Sequence, residues 1–109
     1  MSLYLTRAQY SSSAFKGMVT NPSDRGAAAR SLFESMGIKT HTMHYSVSSG
    51  EIVTIIEGAA EQMAAVEMVI MSSGAFMGVS SLELVSIDQM NAAMTTASQM
   101  VAKYQAPNR

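Results

Sequence analysis

The chain has 109 residues and a net charge of −1, and only 14% of its residues are charged. This length predicts a single domain with enough buried surface for a core. The absence of cysteine excludes disulfides, thiolate metal sites and a cysteine nucleophile. No basic run, signal peptide or membrane-length apolar stretch is present, so we expect a cytoplasmic protein that binds neither nucleic acid nor membrane.

The first third of the chain predicts a strand and then helix. Leu3 to Tyr10 alternates as a strand does, and a short helical turn is expected over Ala14 to Val19. Asn21 is the predicted cap of the next helix, with Pro22 in its first turn, and Gly37 is its predicted end. The residues of this helix expected to face the core are Ala29, Phe33 and Met36.

A hairpin is predicted next, with arms at Ile38 to Val47 and Ile52 to Glu57 joined by the turn residues Ser48-Ser49-Gly50. The second arm is almost continuously apolar, so we expect a central strand that is covered on both faces. Strict alternation in the first arm assigns its residues to two faces. One face has His41, Met43, Tyr45 and Val47, and the other has Thr40, Thr42, His44 and Ser46.

The last part predicts a helix at Ala59 to Ser73, a strand at Val79 to Ile87 and a terminal helix. Ser86 and Gln89 have the spacing of a capping box for that last helix. The inward residues expected of the first helix are Met63, Val66, Val69 and Ile70. The terminal helix has an apolar stripe of Met90, Met94, Ala97, Val101 and Tyr104. Residues 105–109 are expected to form a flexible tail.

The order of these elements predicts an α+β fold, the ferredoxin-like β-α-β-β-α-β sandwich with an antiparallel sheet and an added C-terminal helix, in one domain over residues 1–104. Helices would cover one face of the sheet. A second subunit or the terminal helix must cover the other face, and eleven methionines with few charges favour a subunit interface. We therefore expect a homodimer or higher oligomer.

Four pieces of the chain carry a family resemblance, namely YLTRAQYS, NPSDRGAAARSLFESMGIK, THTMHYSV and IVTIIEG. On these pieces the chain resembles the GYD-domain family, small bacterial domains of the dimeric α/β-barrel superfamily. The naming motif should fall in the hairpin, where Glu51 replaces an aspartate and the glycine and tyrosine positions differ. The resemblance implies a dimeric barrel with no assigned activity, in a superfamily that includes haem-degrading monooxygenases, stress-responsive barrels and amino-acid-sensing regulatory domains.

Four residues are the candidates for ligand binding: Arg7, His44, Tyr45 and Glu51. Arg7 interrupts an apolar alternation, so it requires a partner, either in an ion pair with Glu51, Glu57 or Glu83 or as a hook for an anionic ligand. His44 is a candidate because histidine titrates near neutrality. No catalytic residue can be assigned.

No metal site and no cofactor are predicted. On alternating positions His41 and His44 would point to opposite faces, and carboxylates with ligand spacing are missing. The methionines are better explained by packing in the core or an interface than by binding of copper(I), because they lie on different helix faces.

Three functions stay open at the level of the sequence. The favoured one is a homo-oligomeric domain that binds a small ligand or acts as a regulatory or structural module. The alternative is a small cofactor-independent enzyme of monooxygenase or isomerase type, using His44, Tyr45 or Arg7 in a barrel cavity. A purely structural interaction module would have a filled interior.

Overall fold

The computed structural model describes residues 1–108, which form one four-stranded sheet with helices. The strand order is β2-β3-β1-β4 and every neighbouring pair is antiparallel, which confirms the predicted ferredoxin-like α+β fold. The elements in chain order are β1 (Ser2–Tyr10), α1 (Ser12–Thr20), α2 (Arg25–Ser35), β2 (Lys39–Ser46), β3 (Glu51–Gly58), α3 (Ala60–Ser72), β4 (Phe76–Leu84), α4 (Ile87–Met100) and a 3₁₀ turn (Val101–Lys103).

The starts of α1 and α2 are set by side-chain caps. Ser11 accepts a hydrogen bond from the Ala14 amide at the start of α1. The second helix begins later than predicted, because Asp24 is its cap and accepts from the Ala27 amide. Asn21 instead ends α1, its amide donating to the Gly17 carbonyl. The prediction of Asn21 as the α2 cap was therefore wrong, and Asp24 took that role.

The last strand lies three residues earlier than predicted. It begins at Phe76, whose ring stacks on Tyr10 with centroids 4.9 Å apart, and it pairs with β1 as far as Leu84. The strand cannot continue through Ser86, since that residue caps α4. The predicted capping box is confirmed: Ser86 and Gln89 each accept from the other's amide.

The core lies between one face of the sheet and helices α2 and α3. Its buried cluster is Phe33, Ile38, Ile56, Met63 and Val66, with Ala29, Met36 and Ile70 packed at its edge. The predicted inward positions of both helices are confirmed except Val69, which is exposed. Val69 lies one residue from Ile70 around the helix, so it points away from the sheet once Ile70 packs inward.

The strand register defines two faces of the sheet, since directly paired residues share a face. The face under α2 and α3, here the helix face, includes Thr6, Ala8, Thr54 and Ile56. The opposite or open face has four cross-strand rows. These rows are Lys39–Glu57–Leu3–Leu84, Thr42–Ile55–Leu5–Leu82, His44–Val53–Arg7–Ser80 and Ser46–Glu51–Gln9–Gly78.

An irregularity in β2 changes the predicted assignment of its side chains. The register shifts between Thr40 and Thr42, which pair with the adjacent residues Ile56 and Ile55 of β3. Strand β2 therefore has one extra residue, His41, at this point. As a result His41 reaches Glu57 on the open face, while Met43 and Tyr45 remain on the helix face. Both histidines therefore lie on the open face, and the prediction that they point to opposite faces was wrong.

None of the helices described in residues 1–108 covers the open face. Strand β3 is central, as predicted, but Val53 and Ile55 on its open side remain partly exposed. Helix α4 extends away from the sheet. All of its residues are exposed, and among the described elements it packs mainly against the 3₁₀ turn that follows it. The radius of gyration is therefore 18.1 Å, against about 13 Å for a compact chain of this length. The predicted tail, 105–109, includes Arg109, which lies outside the described residues.

None of the described helices is both long enough and apolar enough to cross a bilayer.

Candidate functional site

The polar end of the open face is organised by an ion pair. Both Nε and Nη2 of Arg7 donate to Oε1 of Glu51, at 3.2 and 2.9 Å. Of the three partners predicted for Arg7, the structure selects Glu51, because the two residues lie on neighbouring strands one row apart. Hydrogen bonds from Arg7 and Ser49 hold the pKa of the Glu51 carboxyl below its usual range.

A second pair lies at the other end of the same face. Nε2 of His41 is 2.8 Å from Oε1 of Glu57, whose pKa is lowered by that hydrogen bond and further by the charges of His41 and Lys39. His41 thus has a carboxylate partner, whereas His44 lies two rows away beside Val53. Among the described residues no three histidine or acidic side chains are grouped as a metal site would require.

The Arg7–Glu51 pair predicts a pH-dependent contribution to stability. Because the folded-state pKa of Glu51 is lowered, its contribution is present above the usual glutamate pKa of 4.5 and is lost as pH falls through the folded value. The stabilities of the wild type and of Arg7→Gln, measured by urea unfolding, should therefore differ at pH 7, and the difference should shrink as the pH falls below 4.5. A difference that does not shrink as the pH is lowered would contradict the pair as the source.

Tyr45, the fourth candidate, belongs to a different site on the helix face. It pairs with Ile52 and borders an open pocket of about 490 Å³ between α1, the start of α2 and the ends of β2 and β3. His44 also borders this pocket from the edge strand. The remaining lining residues are Tyr10, Phe15, Met18, Val19, Asp24, Arg25, Gly26, Arg30, Met43 and Ile52. The volume is in the range of small-molecule sites.

An inner cavity adjoins this pocket under helices α2 and α3. It has a volume of about 110 Å³ and shares Tyr10, Arg25 and Ile52 with the pocket. Its walls are mostly apolar, with Phe33, Val66 and Ile70 among them. A cavity needs only about 10–15 Å³ to hold a water molecule, so this one has room for a small group of atoms.

Thr54, a residue in the wall of the inner cavity, has a hydroxyl with no hydrogen-bond partner within residues 1–108. Thr54 is 3% exposed, and its hydroxyl makes no hydrogen bond. The neighbouring Thr6, which pairs with Thr54 in the register, is satisfied by the Ser81 hydroxyl at 3.2 Å. Buried hydroxyls are nearly always bonded, so an unpaired one marks a place where a partner from outside the chain would be stabilised.

The structure divides the sequence candidates between two places. Arg7 and Glu51 are together on the open face, Tyr45 lines the helix-face pocket, and His44 borders that pocket from the strand edge. Three pocket residues were missed from the sequence: Arg25, Arg30 and Thr54. Two arginines five residues apart in α2 were the available signal, whereas nothing in the sequence distinguishes Thr54 from any strand threonine.

Fold and site together define a small ferredoxin-like α+β domain with an uncovered sheet face and a pocket under its helices. Residues 4–94 match the family model described as the GYD domain. This match covers most of the chain, so the chain belongs to the GYD-domain family. Comparison with curated proteins and with solved structures gives no significant match.

Proposed function

We propose that this protein is a homodimeric domain that binds a small, largely apolar molecule in the helix-face pocket of each subunit. The observation that carries the proposal is the 490 Å³ pocket leading to an inner cavity with an unpaired Thr54 hydroxyl. Concave sites with apolar walls and a few polar groups are the usual form of ligand sites. The site lies on the helix face, so the open face stays available for a second subunit.

The open face supports self-association. The rows that contain Leu3 and Leu5 form an apolar band on this face. The band consists of Leu3, Leu5, Ile55, Leu82 and Leu84, and Leu82 is 54% exposed. Exposed apolar patches of this kind mark interaction surfaces. Four strands about 4.8 Å apart give a face of roughly 500 Å², and one side of α4 adds roughly 200 Å². The combined area approaches the ~800 Å² that each partner of a stable interface buries.

Helix α4 supports a second copy as the occupant of this face. An isolated helix of 14 residues is marginal in water, and this one includes Asn91, Thr95 and Thr96, which are weak helix formers. Its exposed stripe through Met90 and Met94 therefore needs an apolar surface to pack on. Reciprocal packing of α4 on the open face of a twofold-related copy would cover both surfaces at once.

Native mass spectrometry of the full chain tests both parts of this proposal. We expect a dimer that carries an additional small mass in each subunit. Met94→Glu places a charge in the apolar stripe and should weaken dimerisation at least about ten-fold, whereas Thr96→Glu, on the opposite side of α4, should not. A wild-type monomer at micromolar concentration would overturn the dimer, and equal effects of the two variants would remove α4 from the interface.

The second candidate is a small cofactor-independent enzyme of monooxygenase or isomerase type. It is favoured by one observation, that His44 and Tyr45 border the same pocket. Arg7 lines neither the pocket nor the inner cavity and takes no part in this version. Incubation of the retained molecule with wild type and with His44→Ala in air would test it. A product that forms only with the wild type supports an enzyme, and the unchanged molecule in both samples rejects one.

A further inference from the structure

The mouth of the helix-face pocket has an excess of positive charge. Arg25 and Arg30 both line it, and neither forms a salt bridge with any residue that the structure describes. Asp24 is the acidic residue of this lining, and its side chain is engaged by the Ala27 amide. Two guanidinium groups and one carboxylate leave a net charge of +1 at the opening.

Arg25 lines both the open pocket and the inner cavity. It borders the open pocket and the inner cavity, so a group held by Arg25 lies where the two volumes meet. Beside it, Gly26 has no side chain, and a Cβ atom there would come within 3.3 Å of Arg30 Nη1 and of Asp24 Oδ1. The bare backbone of Gly26 therefore keeps the space between Asp24 and Arg30 open.

We propose that the ligand is a small amphipathic carboxylic acid. This inference rests on the proposed function and specifies its ligand. The carboxylate is held by Arg25 and Arg30, since the planar guanidinium group matches a carboxylate bidentately. The apolar body extends into the inner cavity against Phe33, Val66 and Ile70.

Charge at the mouth favours a monoanion over a phosphate ester. A carboxylate brings one negative charge and neutralises the net +1 of the lining, whereas a dianionic phosphate would leave an excess charge close to Asp24. The apolar walls of the inner cavity exclude a second charged group, because an unpaired charge there would be costly.

The inner end of the ligand has a hydrogen-bonding group. Thr54 is one of the residues that line the cavity, and its hydroxyl is buried, with no hydrogen-bond partner among the described residues. A hydroxyl or carbonyl oxygen at the far end of the acid would pair with it, whereas a purely hydrocarbon end would leave it unsatisfied. The ligand class is therefore an acid with a neutral polar atom remote from its carboxylate.

Four probes with one skeleton test this class: 3-(4-hydroxyphenyl)propanoate, 3-phenylpropanoate, 3-phenylpropanol and 3-phenylpropylamine. Isothermal titration calorimetry on the full chain should rank their affinities in this order, with the acids at least about ten-fold tighter than the alcohol. Arg25→Gln and Arg30→Gln should remove the preference for acids while the alcohol binds as before. Lys16→Gln, a charge change on α1 at a residue that lines none of these cavities, should leave the ranking intact.

Thr54→Val gives an independent readout of the inner end. It should weaken the hydroxylated acid several-fold and leave the affinity for 3-phenylpropanoate unchanged. An alcohol or amine that binds as tightly as the acids would overturn the acid class and leave the proposed pocket standing. No binding of any probe at millimolar concentration, together with no retained mass in native mass spectrometry, would overturn both.

Discussion

Replacement of Ile56 by alanine is expected to lower the free energy of unfolding by about 2–5 kcal/mol. Ile56 lies on the central strand β3, is fully buried and packs in the cluster with Phe33 and Met63. Removing its side-chain atoms loses their transfer free energy and leaves a cavity between sheet and helices that the neighbours fill only in part. Urea unfolding monitored by circular dichroism measures the change.

Ile55→Ala is the matched control, since Ile55 is the next residue of the same strand and lies on the open face. In a monomer its loss should have a small effect. In the proposed dimer the effect should grow with protein concentration, because a mutation in a subunit interface acts on association. Ile55→Ala could instead lower the free energy of unfolding as much as Ile56→Ala does, at every protein concentration. The open face would then be covered within one chain, which would contradict the structure.

Thr54→Val is expected to stabilise the ligand-free protein by about 1–2 kcal/mol. The substitution keeps the shape and the β-branched character of the side chain and removes a buried hydroxyl that has no partner among the residues the structure describes. The unpaired hydroxyl loses its water on folding without gaining a bond, so valine avoids that penalty. Calorimetry should show the melting temperature rising by several degrees, as expected for a domain of this size.

Thr6→Val isolates the effect of the missing partner. Thr6 is also buried on the helix face and pairs with Thr54 in the register, but its hydroxyl bonds to Ser81. Its replacement removes one hydrogen bond and should lower stability by about 0.5–1.5 kcal/mol. A loss of stability in both variants would show that Thr54 does have a partner in solution, such as a bound water.

The binding hypothesis connects these two threonines to function. A ligand that pairs with Thr54 stabilises the folded state by mass action in the wild type and does so less in Thr54→Val. The variant should therefore be more stable than the wild type without ligand and gain less from it. The same residue would then trade stability for binding, as is common where a buried polar group serves a site.

Local signals in the sequence were sufficient for most of the elements. Alternation at Leu3 to Tyr10, the hairpin turn at Ser48-Ser49-Gly50 and the capping box at Ser86 all depend on residues within a few positions of one another. Where two local signals competed, the choice was less secure. Asn21 and Asp24 are both good caps, and the structure uses Asp24 because α1 already ends on Asn21.

The candidate residues could be predicted only in part, because each had to be assigned to a face. For Arg7 the sequence offered Glu51, Glu57 and Glu83 as partners without choosing among them, and the register of the strands selects Glu51. His41 was assigned to the wrong face, because the register shift between Thr40 and Thr42 adds one residue to β2. No local sequence pattern predicts this extra residue. A single extra residue reverses the side on which all earlier positions of a strand lie.

The sequence by itself therefore determined the order of the elements, their turns, most of their caps and most of the residues that pack as the core, and hence the ferredoxin-like plan. Only the tertiary structure decided where a ligand could bind and which surfaces stay uncovered. The pocket and the inner cavity are lined by residues between Thr6 and Phe76 that are far apart along the chain. Thr54 differs from other strand threonines only because no described neighbour reaches its hydroxyl. Sequence patterns report periodicity within one segment, whereas cavities and unpaired atoms arise from how separate segments pack.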